Sequence, residues 1–330
     1  MAYSVNAPFW SDGAEKRRWF SLPQTNMFIQ FSASNNWVVP PGAIWIKHFD
    51  LVTNEVTGAK RRLETRFLVK NPTSLYGITY RWEPGATNAR LVDDDGLDED
   101  IVIWSAGDQT RPQRWSYPSR SACLACHTLN AGGLLGFSTV QLNGDHDYPD
   151  SGLSNQLLAL AHAGYFQGTI PPPASLPRLV PANHPTASLE YRVRSYLDAN
   201  CSACHQPGGS APNTWDARFI TPTAGTRIIE GALNDQGGDV ANRLVTPGDL
   251  DHSEIFTRIN SRGPKQMPPL ASSRLDDASI ELLRTWISSS EIRSRGSYET
   301  WRSVFLNGAS ESEADPNADL DQDGGTNEQE

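Results

Sequence analysis

All four cysteines and two of the seven histidines of this 330-residue chain fall into two copies of one pattern. Cys123-Leu-Ala-Cys126-His127 and Cys201-Ser-Ala-Cys204-His205 both read C-x-x-C-H. Two thiols one helical turn apart can each form a thioether to a haem vinyl group, and the adjoining histidine then reaches the iron from the proximal side. Three other chemistries compete. A zinc site also uses paired C-x-x-C, but 74 residues separate the pairs here, against roughly 15–20 in a zinc ribbon. A thioredoxin-like redox pair calls for a βαβ setting that the pattern lacks. Plain disulfides give no reason for a histidine after both pairs. Spacing and count favour two covalently bound haem c groups, held by Cys123, Cys126, Cys201 and Cys204, with His127 and His205 on iron. Bacterial haem c attachment takes place outside the cytoplasm. A periplasmic or extracellular location is therefore expected, with an export signal removed, although the chain opens Met-Ala-Tyr-Ser-Val-Asn without one.

Residues 187–290 resemble a class I cytochrome c domain. A helical pattern, Leu189–Leu197, leads into Asn200-Cys201, and Gln206-Pro207-Gly208-Gly209 follows the motif. Lys265-Gln-Met267-Pro268-Pro269-Leu270 puts Met267 sixty-two residues after His205, and a last helix is expected over Asp276–Ser288. In that family the methionine of an M-P-P-L loop is the distal iron ligand and raises the reduction potential, so the resemblance implies Met267 for the second haem. The composition agrees. Of three methionines, Met1 is an initiator and Met27 sits in a strand-like run. Arg243, Arg258 and Lys265 are candidate partners for haem propionates, or simply surface charges.

The first haem has no methionine between Cys126 and Met267. Its distal ligand must then come from His48, His146, His162, His184 or His252, or the position is open. In Ile44-Trp45-Ile46-Lys47-His48-Phe49, alternation places Ile44, Ile46 and His48 on one strand face. Such a histidine is ordinarily a hydrogen-bonded core residue, but beside a haem lacking a sixth ligand His48 is the leading candidate. His146 and His162 follow.

The elements that position these residues are of two kinds. Met27–Phe31, Ile44–Phe49, Glu64–Val69, Leu75–Trp82 and Ile101–Trp104 are rich in β-branched and aromatic residues and separated by turn signals. They predict an antiparallel β domain over 1–116, with the acidic run Asp93–Asp100 as a solvated hairpin end. Leu153–Tyr165, Leu189–Leu197 and Ile280–Ile287 have helical spacing. The expected class is α+β: a first haem-binding segment and linker at 117–185, a cytochrome c-like domain at 186–298, and an acidic tail at 299–330. In that tail Asp319, Asp321, Asp323, Gly324 and Glu330 fit the twelve-position calcium loop, with a solvated acidic linker as the alternative. The formal charge is −10, yet the last twenty residues hold eight acids and no base, so the remainder is nearly neutral. Nothing suggests a basic surface for nucleic acid, and no apolar run reaches the length of a membrane span.

Asn6-Ala-Pro-Phe-Trp-Ser-Asp-Gly-Ala, Lys16-Arg-Arg-Trp-Phe, Lys47-His-Phe, Arg62-Leu-Glu-Thr-Arg-Phe, Tyr117-Pro-Ser-Arg, Gln141-Leu-Asn-Gly-Asp and Asn155-Gln-Leu, with the first cysteine motif, resemble a bacterial family of secreted haem-c proteins. The resemblance covers nearly all of residues 3–290. It implies an electron-transfer module within larger exported proteins, near quinoprotein sugar dehydrogenases or copper polysaccharide oxygenases as redox partners. The competing reading is a dihaem peroxidase or oxygenase with an open coordination position at the first haem and His146, Glu64 or Arg66 as acid–base helpers.

Overall fold

The computed structural model describes residues 1–149, 152–212, 215–270 and 272–293, with Ala318. The class is α+β, and the chain forms two compact units. The first comprises Met1–Pro181 with Pro268–Asp276, the second Ala182–Met267 with the chain from Asp277 onward. The calcium-loop residues Asp319, Asp321, Asp323 and Glu330 lie outside the described residues.

The first unit is built on a six-stranded antiparallel sheet in chain order: β1 (Ala2–Tyr3), β2 (Glu15–Ser21), β3 (Ile44–Val52), β4 (Lys60–Lys70), β5 (Leu75–Trp82) and β6 (Ala89–Leu91). A hairpin of β7 (Leu97–Trp104) and β8 (Thr110–Tyr117) stands apart from that sheet. Then come α1 (Arg120–Cys126), α2 (Thr139–Leu142), a short hairpin of β9 (Asp145–Tyr148) and β10 (Gly152–Asn155), and α3 (Gln156–His162).

Because residues opposite one another in a ladder share a face, the register sorts the central strands into rows. Phe20, Trp45, Leu68 and Gly77 form one row, Arg18, Lys47, Arg66 and Thr79 the next, and Lys16, Phe49, Glu64 and Arg81 the third. All three lie on one face. At one end Phe20 and Trp45 join a buried aromatic cluster with Tyr3, Trp37, Phe137 and Phe166. At the other, Phe49 joins Leu51, Leu63, Ile101, Trp115 and Tyr117. Two apolar cores thus occupy the two ends of one face, with a charged row between them.

Some elements differ from expectation. Met27–Phe31 is not a ladder strand: Ile29 and Gln30 make only single bridges, to Phe166 and Val38, while Ile29 is fully buried. The segment is pinned by core packing. Leu153–Tyr165 divides into a strand and a helix, because Asn155 caps α3 by accepting a hydrogen bond from the Leu157 amide at 3.0 Å.

In the second unit, α4 (Leu189–Cys201) packs on α6 (Asp277–Ile287), whose Leu282, Leu283, Trp286 and Ile287 are buried; α5 (Glu254–Ile259) also packs on α6. A final turn, α7 (Ser290–Arg293), follows. No helix among the described residues is long and apolar enough to cross a membrane.

Candidate functional site

The first C-x-x-C-H motif is carried by α1. Ser119 caps the helix by accepting from the Ala122 amide at 3.0 Å, and Cys123 and Cys126 fall one turn apart on it. The helix lies on β5 at Gly77, where a Cβ would stand 3.0 Å from Cys123 Sγ and 3.1 Å from its Cβ. Only a residue without a side chain lets the thiol approach so closely.

His127 ends α1, its amide donating to Cys123 O at 3.0 Å. Its Nδ1 is 2.6 Å from the carbonyl oxygen of Gly133. A carbonyl only accepts, so Nδ1 bears the proton and Nε2 keeps a free lone pair. The turn that delivers this carbonyl uses Gly132 and Gly133, both at left-handed φ (73° and 71°). Burial pushes His127 down to about 4; the Gly133 bond opposes the shift, and the charges of Lys47 and Arg66 reinforce it. At neutral pH the ring is neutral, with an available nitrogen.

Lys47 and Arg66 are the cations of the middle row of the sheet face. Glu64 is fully buried and takes a two-pronged ion pair from Arg66, at 2.6 and 3.0 Å. The Arg66 guanidinium lies over the Phe49 ring at 4.4 Å, with the ammonium groups of Lys16 and Lys47 at 5.8 and 6.0 Å from the same centroid. Burial pushes Lys47 down to about 7, aided by the charges of Arg18 and Arg66. Lys16 is likewise held well below its ordinary value, again by burial first. These side chains still keep some solvent access, as groups on the wall of a cleft do.

His48 is placed elsewhere. Alternation along β3 puts it on the opposite face from Lys47, opposite Arg17 and Thr65. Its Nδ1 is 2.7 Å from Thr65 Oγ1, and its ring meets Trp19 edge-on at 4.9 Å. The structure therefore does not bring His48 to the Cys123 motif; a side chain cannot reach through the sheet. His146 packs edge-on against Tyr148, and His162 is exposed at the end of α3. Nδ1 of His184 accepts from the Ala187 amide at 3.1 Å, and His252 pairs with Asp249 at 2.6 Å. The expectation placed weight on the histidine of Lys47-His48-Phe49, whereas the lysine is the residue that faces the motif.

The second motif sits at the end of α4, whose last residue is Cys201. The His205 amide donates to Cys201 O at 2.9 Å, and the Ala217 amide donates to His205 O at 2.9 Å. The imidazole stacks at 30° on Trp215, centroids 4.6 Å apart, and its Nδ1 is buried without a hydrogen-bond partner. Burial pushes it down to about 4, with the charge of Arg258 adding to the shift. The loop beyond folds back onto the motif. A Cβ on Gly209 would overlap Cys204 O, so glycine is obligatory there, and the Ala211 amide donates to that oxygen at 3.2 Å.

Met267 is half-buried in a non-helical segment, its amide donating to Arg258 O at 3.1 Å. Arg258, on α5, is also the residue whose charge acts on His205. Its own partner is Glu254, at 2.7 Å. Arg243 is occupied by the carbonyls of Val240 and Asn242, at 2.7 and 2.9 Å.

No disulfide joins the four cysteines, and all are half-buried. Among the described residues, no group of three or more His, Cys, Asp or Glu converges to hold a bare metal ion. No family model, curated protein or solved structure matches this chain.

Proposed function

We propose that the chain is a dihaem c-type cytochrome, an electron-transfer module of an exported oxidoreductase system. The observation that carries the reading is the state of His127: half-buried, neutral, its Nδ1 proton committed to Gly133 O and its Nε2 left free, directly after two cysteines on one helical turn that no disulfide joins. Metal-bound histidines are commonly oriented in this way, by a hydrogen bond from the second nitrogen. His205 adds a buried nitrogen without a partner, which costs about 1–3 kcal/mol where nothing compensates it. The residues present fit haem c at both motifs.

The group supplies reversible one-electron chemistry when bound. Cys123, Cys126, Cys201 and Cys204 would tether it, His127 and His205 would hold the iron, and Met267 would complete the second site. The chain's other contributions are orientation, through Gly133 and Trp215, and exclusion of water by the packed sheet face and by α4 and α6. Electrons would pass between an oxidising domain and an acceptor, with a quinoprotein sugar dehydrogenase or a copper polysaccharide oxygenase as partner.

One observation favours the second reading, a dihaem peroxidase or oxygenase. With His48 on the far face, no histidine of β3 is available opposite His127, while Glu64 and Arg66 stand on the motif's own face. Haem stoichiometry by mass and low-temperature EPR of the ferric holoprotein separate the two. Two haems, both low-spin, are expected of a relay. One high-spin haem would move the enzyme reading to the front, and a preparation with no thioether-bound haem refutes both.

A further inference from the structure

The middle of the sheet face holds more positive charge than the polypeptide balances. Arg18, Lys47 and Arg66 lie side by side on β2, β3 and β4, and Lys16 is one position along β2 on the same face. Against these four cations the face offers one carboxylate, Glu64, already engaged by Arg66. Asp12 acts on Lys16 from a distance, but its oxygens accept from the Ser273 and Arg274 amides at 2.9 Å and from the Ser273 hydroxyl at 2.9 Å. Arg81, further along the face, is neutralised by Glu99 at 2.8 Å.

The individual partners are equally incomplete. Lys16 donates to Phe9 O at 2.6 Å and Arg18 to Lys16 O at 3.3 Å, both neutral acceptors. Lys47 has neither acceptor nor ion-pair partner among the described residues, only the distant Phe49 ring. Burying like charges between two apolar cores is costly, and the usual outcome is pairing with an anion. The cost is visible in Lys47 and Lys16, whose ammonium forms are destabilised by burial first and then by the charges of Arg18 and Arg66.

The charge of Lys47 is felt by both Cys123 and His127, and that of Arg66 by Cys123, Cys126 and His127. An anion seated here therefore belongs to whatever the first motif holds. We propose that Arg18, Lys47 and Arg66, with Lys16 behind them, form the cradle for the two propionate carboxylates of the first haem. The proposal rests on the haem reading above and deepens it. It assigns Lys47 a charge-pairing role and leaves the sixth coordination position of that iron to another group. Two carboxylates against four cations and Glu64 bring the face close to neutrality.

The test uses the intact holoprotein with Lys47→Gln and Lys47→Arg, and Arg18→Gln as a second site should Lys47→Gln fold poorly. Haem is counted first by mass. A chain without haem on Cys123 and Cys126 overturns the function and the cradle together. With two haems present, the midpoint potentials are measured by optical redox titration, the first haem's midpoint being the one that Met267→Ala leaves unshifted. Reduction adds one electron from the titrant, so loss of a fixed positive charge disfavours it. Lys47→Gln is expected to shift the first haem's reduction equilibrium about tenfold towards the oxidised form, about 59 mV for one electron, with its low-spin spectrum intact. Lys47→Arg restores the charge and with it the potential. An unchanged midpoint in both Lys47→Gln and Arg18→Gln overturns the cradle. So does conversion to high spin in both the Gln and the Arg variant, since that outcome puts the Lys47 nitrogen on iron.

Discussion

Gly77 offers the most direct test of how the first motif is seated. An added Cβ would meet Cys123 Sγ at 3.0 Å and its Cβ at 3.1 Å, whereas carbon and sulfur contacts settle nearer 3.5–4.0 Å. In Gly77→Ala, α1 must therefore retreat from β5 by roughly half an ångström or more, since the obstruction is a short side chain rooted on a helix. Overpacking of this kind costs about 1–3 kcal/mol. A strand glycine replaced by alanine otherwise gains about 0.5–1 kcal/mol, and Gly77 is not at left-handed φ, so no backbone strain enters. The net loss is about 1–2 kcal/mol. By the usual size scaling, it appears as a fall of about 2–8 °C in the transition of the unit concerned. Gly225→Ala is the control, because its Cβ would sit at an ordinary 3.5 Å from Thr221 Cγ2. Thermal and urea unfolding of the two variants measure the difference. A neutral or stabilising Gly77→Ala would show that Cys123 does not rest on this strand, and the placement of the motif on the cationic face would fall with it.

Other expectations can be read from the same geometry. Burial alone would raise Glu99, but hydrogen bonds from Arg81, Arg61 and Tyr117 win and hold it at about 2. A depressed carboxylate stabilises above its unfolded value and loses that contribution as pH falls towards about 2. Glu99→Gln should therefore cost on the order of 2 kcal/mol at neutral pH, after discounting for partial exposure, and the gap to wild type should close near pH 2 in urea unfolding. Asp198 is the reverse case, pushed up to about 6 by burial. Its contribution is complete below about pH 4 and lost as pH rises through about 6, on the order of 1–2 kcal/mol. Asp198→Asn keeps an acceptor for the Phe219 amide and should flatten that slope. Asn143 donates to the carbonyls of Pro173 and Leu176, at 2.9 and 3.0 Å, and accepts from Asn155 at 3.1 Å. Asn143→Ala should cost about 1–3 kcal/mol by leaving the buried Leu176 carbonyl without its donor, while Pro173 O still accepts from the Leu176 amide, with faster proteolysis at 173–177.

How much of this was legible beforehand depends on which physical rule each residue obeys. The two C-x-x-C-H motifs were plain because residue type and spacing repeat, and the structure sets each at the end of a helix. β5 and β7 follow ordinary strand composition, and the buried face of α6 follows ordinary helical periodicity. Asp93–Asp95 are indeed solvated, but Glu99 in the same acidic run is not; its partners, Arg61 and Arg81, come from other strands, and no local pattern announces them. Gly77 and Gly133 matter through what approaches them in space, which spacing does not report.

The most instructive failure concerns β3. Ile44-Trp45-Ile46-Lys47-His48-Phe49-Asp50-Leu51 is apolar on both parities, so alternation defines two faces without saying which is inward. Alternation groups Ile44, Ile46 and His48 on one face, and a first haem lacking a sixth ligand gave that face weight by making its histidine the leading candidate. The structure buries Trp45, Phe49 and Leu51 on the other face and holds Lys47, half-buried, beside them. The strand β2 was not among the expected strands, and its Lys16 and Arg18 alternate onto that same face. Arg66 on β4 completes the set. Four half-buried cations on three neighbouring strands, all on one face, do not arise from independent accidents of packing. Local rules are broken together where a site demands it. The cation row beside Cys123 and His127 is where this chain accepts a cost in stability, and a bound dianion is the partner that would justify it.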